Sequence, residues 1–514
     1  MKSKAMRLFS LFLTTGLLLA AEPAIHVARM RADIGFLSSP ELQGRTALEP
    51  GGDITAKFIA AEFAKAGLKP FSGSGYLQEF GLVFTAVDGA QSRIRVVRDV
   101  RVEVFEPGNG FQGGFKEDIR LTADMVFAGY GITAPEYGYD DYGLIDARGR
   151  VVVVIDREPQ EGDASSVFLG TGLTWHAAPR AKRMNAQAHG AVAVLSLPSA
   201  ASTAAASERN PLRGSARTLY DEEIRIPMLT FPEDAADRLL PERKALQAQI
   251  DQTLKPASRA LQGSIEIRLA HSSRGAGKTF NVIGQLPGSD PSLQGEAVIL
   301  DAHYDHLPSR GEYSYPGAND NGSGTAALLE LARAFAAGGN PPKRTILFIA
   351  FGAEENGLLG AYHYVREPVV ALSRTRAVVN MDMIARNEEH VPQTEGRLEI
   401  PSDTSNSLNL IGGVYSQDLL AAAGRANQGI GLQFDLKFDR DSSQNALWRC
   451  DHFPFLVQGV PALWLFGGFH PGYHEPTDTV EKLDFLKLEK VAQLAYRLVT
   501  DLANTANPPG FRYK

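Results

Sequence analysis

From residue 279 onward the chain repeats one alternation, a short apolar run followed by a longer segment with helical spacing. A-V-I-L-D-A-H (297–303), R-T-I-L-F-I-A-F-G-A-E-E (344–355), R-A-V-V-N-M-D-M (376–383) and A-L-W-L-F (462–466) read as buried strands. G-T-A-A-L-L-E-L-A-R-A-F-A-A-G-G (324–339) reads as a helix ending in glycines. F-L-K-L-E-K-V-A-Q-L-A-Y-R-L-V-T-D-L-A (485–503) reads as an amphipathic closing helix. Such alternation predicts an α/β fold built on a doubly wound sheet with helices on both faces.

The preceding sequence has another texture. Phe58, Ile59, Phe63 and Ala66 recur at helical spacing within 54–68, and Gly67 suits the helix end. From about 93 to 270 the chain becomes β-rich, as in R-I-R-V-V-R-D-V-R-V-E-V-F (93–105) and V-V-V-V-I-D (151–156). At 514 residues the chain is too long for one ordinary core, so two domains are expected. A net charge of −7 without a Lys/Arg block excludes the electrostatic footprint of a nucleic-acid binder. The single cysteine, Cys450, rules out an internal disulfide.

Residues 1–21 carry Lys2, Lys4 and Arg7, then a short apolar run ending in Ala20-Ala21. That order reads as a secretory signal peptide. The run falls short of the ~20 residues a membrane-spanning helix needs. The expectation is an exported protein, periplasmic or extracellular, with no stable membrane insertion after cleavage. The competing reading is an N-terminal membrane anchor.

In doubly wound sheets, ligands bind beyond the carboxyl ends of the strands. There the sequence places His303 and Asp305, then Glu354 and Glu355, then Asp382, and after the fourth strand His470 and His474. Asp320, within P-G-A-N-D-N-G-S-G (316–324), joins them from a glycine-rich helix start. Alone, Asp320 would read as a helix N-cap. Carboxylates gathered at one edge repel one another unless a cation neutralises them. One divalent metal takes three or four protein ligands. This larger set fits two metals about 3.5–4 Å apart, bridged by one carboxylate. Asp320 is the candidate bridge. Mixed imidazole and carboxylate donors suit zinc, with manganese or cobalt chemically possible. Asp305, two residues after His303, is expected to hold the His303 ring by hydrogen bonding. Of Glu354 and Glu355, one can coordinate while the other takes the proton of an attacking water.

The order H-x-D, G-A-N-D-N-G-S-G, E-E, N-M-D and Y-H-x-x-x-D resembles the co-catalytic dizinc aminopeptidases of the bacterial secreted and aminopeptidase Y type. The likeness covers about 275–505. V-F-A-G-Y-G-I-T-A-P, Y-G-Y-D-D-Y-G-L-I-D and R-I-P-M-L-T-F, between 120 and 270, resemble the protease-associated domain inserted in some members. The resemblance implies a mixed sheet of the zinc-aminopeptidase type, with 22–92 and 275–514 forming the peptidase domain and 93–274 the insertion. It implies His303, Asp320 and Asp382 on one zinc, and Asp320, Glu355 and His474 on the other. Glu354 becomes the general base, and Tyr473 falls where some members have a tyrosine that supports the oxyanion. A cis peptide at Asp320-Asn321 is also implied. Cys450 stands where the family commonly has serine.

The expected activity is release of amino-terminal residues from peptides with a free N-terminus; the oligomeric state stays open. The rivals are a carboxypeptidase or dipeptidase, a one-metal glutaminyl cyclase on the same scaffold, and a non-catalytic receptor-like binding protein. R-G-A-G-K-T (274–279) lacks the earlier glycine of a phosphate-binding loop, because Ser272 stands there. His306 and His452 read as structural, and His470 as a candidate for the substrate pocket.

Overall fold

A computed structural model describes residues 24–73, 75–200, 215–339 and 341–513. The expected signal peptide therefore lies outside the described residues. No helix among the described residues is long and apolar enough to cross a membrane.

Among the described residues, two large sheets organise the fold, beside a small two-stranded one. The larger has ten strands. Its centre is four parallel strands in the spatial order Thr345–Phe351, Ala297–His303, Thr375–Asp382 and Ala462–Phe466. Antiparallel strands flank them, His271–Leu286 on one side and Ser407–Ile411 on the other. The result is an α/β sheet, as the alternation predicts, and a mixed one, as the resemblance implies.

Side chains of the central strands are buried on both faces in period two. In Thr345–Phe351, Ile346, Phe348 and Ala350 pack into one core, and Leu347, Ile349 and Phe351 into the other. Helices Val27–Leu37, Pro50–Ala66, Gly322–Ala337 and Phe485–Asn504 contribute to the first core. Leu359–Arg366 and His452–Val457 contribute to the second. Pro50 opens its helix where a missing N–H costs nothing, and Gly67 ends it in the left-handed conformation at φ 87°. Asp484 caps the closing helix by accepting from the amides of Leu486 and Lys487.

The second sheet has seven strands, from Arg93–Arg98 to Arg259–Leu269 in sequence with Met228–Thr230 at one edge. Three helices the β-rich texture did not announce lie in the same stretch: Pro179–Ala188, Glu233–Leu239 and Arg243–Thr253. Strand Ser215–Leu219 leaves this lobe and pairs with Leu77–Val87 in the larger sheet. His271–Leu286 carries the chain back into that sheet.

Candidate metal centre

The carboxyl ends of all four central parallel strands meet at one edge. His303 ends the first, Asp382 ends the third, Glu354 and Glu355 follow the second, and Tyr473 and His474 follow the fourth. Asp320 arrives from the loop before helix Gly322–Ala337. The capping role that competes for Asp320 belongs to its neighbour: Asn321 accepts from the Gly324 amide at 2.9 Å. The Asp320 carboxylate is thus left facing the edge. Close packing of the loop needs glycine at 324, where a Cβ would stand 2.3 Å from the Met381 carbonyl oxygen. The Asp320-Asn321 peptide is cis.

The two oxygens of Asp320 serve different neighbours. Oδ1 lies 3.5 Å from His303 Nε2, which also lies 3.3 Å from Asp382 Oδ1. Oδ2 lies 3.2 Å from His474 Nε2, which is 3.3 Å from Glu355 Oε2. Glu354 stands apart, its Oε2 3.9 Å from His303 Nε2. No Lys or Arg among the described residues makes an ion pair with these four carboxylates, although the buried Arg45 guanidinium lies near Asp320 and Glu355; imidazoles are their ion-pair partners. Hard oxygen and borderline nitrogen donors, gathered as two groups sharing one carboxylate, fit a pair of divalent cations of the zinc type.

Burial and mutual charge push the two glutamates apart. Burial raises the Glu354 carboxyl well above its ordinary value, and Glu355, Asp451 and Asp382 add to that against His303. At Glu355 burial is outweighed by His474 and His306, which hold the carboxyl well below the usual range. Burial opposes charge on His303, yet Glu354 and Asp382 overcome it and raise the imidazole well above its ordinary pKa.

Several surrounding residues carry positioning work that the sequence did not reveal. Asp478 Oδ2 accepts the backbone amides of both Asn319 and Asp320, at 2.9 and 3.0 Å. Buried Arg45 donates to the carbonyls of Tyr304, Leu37, Pro316 and Gly317, tying the amino-terminal segment to both loops of the site. Ala353, Met383 and His474 itself adopt left-handed backbone conformations without being glycine. Strain of this kind costs about 1–3 kcal/mol per residue and gathers at functional sites.

Three sequence readings change. Asp305 does not hold the His303 ring through its carboxylate: His303 Nδ1 is 3.1 Å from the Asp305 backbone oxygen and 4.0 Å from Oδ1. The carboxylate instead accepts the Glu354 amide at 2.9 Å. Strand pairing ends at His303, so the pleat no longer sets the direction of residue 305. His306, read as structural, places Nδ1 2.8 Å from Glu355 Oε1 and 3.8 Å from Asp320 Oδ2. Either His306 or His474 could therefore complete the second donor group. His470 turns away from the cavity, its Nε2 2.9 Å from the Asn319 amide nitrogen. Cys450 is buried, with Sγ 3.1 Å from Asn380 Oδ1 and 3.5 Å from Asp382 Oδ2.

The donors line a cavity of about 210 Å³ whose other wall is apolar, with Met383, Trp464, Phe466 and Phe469. The Tyr473 ring also lines it and stacks on His474, centroids 3.9 Å apart. A third donor cluster, Asp221, His363 and Glu367, lies at the surface, but there Arg366 already pairs with both carboxylates.

Known proteins resemble this arrangement. Residues 281–499 match Peptidase family M28. The chain is 27% identical over 437 residues to Aminopeptidase YwaD of Bacillus subtilis (strain 168), covering 82% of this chain and 79% of that protein. It is 28% identical over 255 residues to Leupeptin-inactivating enzyme 1 of Streptomyces exfoliatus, 45% of this chain and half the length of that relative. Among solved structures, an aminopeptidase from Aneurinibacillus sp. strain AM-1 shares the fold with a TM-score of 0.50 at 20% identity, over 94% of this chain and 95% of that one.

Proposed function

We propose that the chain, whose residues 281–499 match Peptidase family M28, is an exported zinc aminopeptidase that removes amino-terminal residues from peptides. The observation that carries the two-metal reading is the divided carboxylate of Asp320, one oxygen toward His303 and Asp382, the other toward His474 and Glu355. His303, Asp320 and Asp382 would hold one zinc, and Asp320, Glu355 and His474 the other. His306 would fix Glu355 from behind through their 2.8 Å contact. When bound, the ions supply Lewis acidity, polarising the peptide carbonyl and making water a stronger nucleophile at neutral pH.

The chain's own groups do the rest. Glu354, the carboxylate left outside both donor groups, takes a proton from the attacking water as the C–O bond forms. It passes that proton to the amine nitrogen as the C–N bond breaks. The Tyr473 hydroxyl supports the oxygen that gains negative charge. The apolar wall of Met383, Phe466 and Phe469 receives the first side chain and excludes water. Asp305 aims Glu354 by holding its amide. We assign the seven-stranded lobe to the role of an inserted protease-associated domain.

The test is a panel of aminoacyl anilides with chelator and with added zinc, beside the same residues in N-acetylated peptides. Zinc-dependent cleavage of free anilides, no cleavage of blocked peptides and two zinc ions per chain are expected. Cleavage of blocked peptides from their carboxyl end would replace this reading with a carboxypeptidase.

A further inference from the structure

The cavity at the metal centre has a neighbour. Gly357, Leu358 and Trp448 line it and also line a larger cavity of about 430 Å³, so the two lie side by side. The larger one lies where the seven-stranded lobe meets the peptidase sheet. Four cations stand on its walls, Lys116, Arg180, Arg183 and Arg217, and no carboxylate does. Among these four, Arg180 is ion-paired, by two bonds to Glu222 at 2.8 and 2.9 Å. Arg183 spends its Nε on the Ile226 carbonyl at 2.6 Å. Arg217 reaches the neutral side chain of Asn356, next in sequence to Glu355. None of Lys116, Arg183 and Arg217 has an ion-pair partner among the described residues. Burial lowers the Arg183 guanidinium to about 10 and lowers Arg217 as well. Glu222 acts on Arg183 and Asp305 and Glu49 on Arg217 only at a distance, and half-buried guanidinium groups facing an open cleft without a direct ion pair favour the entry of something anionic.

Direction follows from the proposed chemistry. Glu354 returns its proton to the departing amine, so the departing peptide lies on the Glu354 side. The chain continues from Glu354 through Asn356, Gly357 and Leu358 into the second cavity. We propose that this cationic cleft is the leaving-side subsite and that it selects peptides carrying a carboxylate beyond the scissile bond. The inference rests on the aminopeptidase reading. A guanidinium recognises a carboxylate by paired, charge-assisted hydrogen bonds, and Arg217 and Arg183 present two such forks. The carboxylate can come from an acidic side chain or from the free end of a short peptide, and the experiment separates them.

The substrates are Leu-Ala-Gln-amide, which is neutral past the first residue, Leu-Ala-Glu-amide, with a side-chain carboxylate, and Leu-Ala-Gln acid, with a terminal one. The expected result is a kcat/KM at least about tenfold higher for one or both anionic peptides. That advantage should shrink as salt rises, fall below about threefold in the Arg183→Gln/Arg217→Gln double variant, and survive in part in Arg217→Lys. Equal kcat/KM for all three peptides overturns the proposal, as does an advantage that persists in the double variant or a variant loss equal on neutral and anionic peptides. Leucine anilide has no residue beyond the bond, so its zinc-dependent cleavage tests the parent reading alone. Should nothing be cleaved, calorimetry with the zinc-loaded protein still decides. Leu-Ala-Glu-amide, Leu-Ala-Gln acid or both must bind at least about tenfold tighter than Leu-Ala-Gln-amide, and the double variant must lose the difference.

Discussion

Carboxylates are buried in both halves of this molecule, and the two halves treat them differently. In the seven-stranded lobe, Asp141 is fully buried, but its oxygens accept the amides of Tyr130 and Ile132 at 2.9 and 3.1 Å and the Tyr139 hydroxyl at 2.7 Å. Glu158 accepts the Thr174 amide and hydroxyl. Buried Lys182 supplies the nearby positive charge. The lobe carries its own counter-charge. At the sheet edge, Asp320, Glu354, Glu355 and Asp382 face one another and three imidazoles across a cavity; buried Arg45 lies near Asp320 and Glu355 but spends its donors on backbone carbonyls, and no Lys or Arg among the described residues is ion-paired to the four. Burying charge needs partners; one region contains them and the other presents an opening for guests.

Removing the guests is the most direct way to break that contrast. Chelation should abolish anilide hydrolysis and lower the melting temperature, and zinc should restore both. A ligand present at a hundredfold over its Kd stabilises by about 2.7 kcal/mol. A melting temperature indifferent to chelator and zinc would erase the distinction between the regions. Next in size is Glu354→Gln. It should keep two zinc ions while kcat falls by about 10²–10⁴; a variant that loses zinc instead would make Glu354 a ligand.

How much of this was legible in sequence depends on what fixes each side chain. His303, Glu354, Glu355, Asp382 and His474 could be gathered because strands are short, apolar and parallel, and parallel strands end on one side. Asp320 could be added because glycines mark a tight approach. Asp305 was misdirected because the period-two rule stops with the strand, at His303. Arg45 left no local signal: its carbonyl partners include Tyr304, Pro316 and Gly317, some 259 to 272 residues away in sequence. Strand Ser215–Leu219 shows the same limit, since only pairing with Leu77–Val87 places Arg217 beside Asn356.

The two imidazoles near Glu355 sharpen the comparison at finer scale. His474→Ala should reduce bound zinc from two per chain toward one. His306→Ala should retain both sites while weakening one by about 10–100-fold, the usual cost of removing a residue that only orients a ligand. Metal analysis after dialysis against buffered zinc separates them, and the reverse outcome would exchange their roles. In the other region, Lys182→Met keeps bulk but removes the internal cation. Lys182 Nζ donates to the Tyr130 carbonyl, and leaving that buried oxygen unpaired costs about 1–3 kcal/mol, so melting should fall with zinc content unchanged. An unaffected melting temperature would mean the lobe does not depend on its own counter-charge.

The smallest effect probes that dependence without removing Lys182. Burial pushes the Asp141 carboxyl up to about 7, against the hydrogen bonds from Tyr139 and the backbone and the charge of Lys182; its ordinary value is 3.8. Below about pH 4 the group is protonated in folded and unfolded chains alike, and its contribution to stability is fully present. As pH rises, the unfolded chain ionises first, so that contribution is lost progressively until pH passes about 7. The slope is at most about 1.4 kcal/mol per pH unit. Glu158, raised by burial to about 8, acts in the same direction. Lys182, lowered by burial to about 8 from 10.5, stays charged in both states across most of this window and contributes little slope. Asp141→Asn removes one of the two titrations. With chelator in every sample, so that the sheet edge contributes equally, the stability difference should therefore move in favour of the variant from pH 5 to pH 7. A difference that stays constant would mean that the Asp141 carboxylate is already ionised in the folded lobe at pH 5, held by Lys182 and its hydrogen bonds as firmly as a metal would hold Asp320.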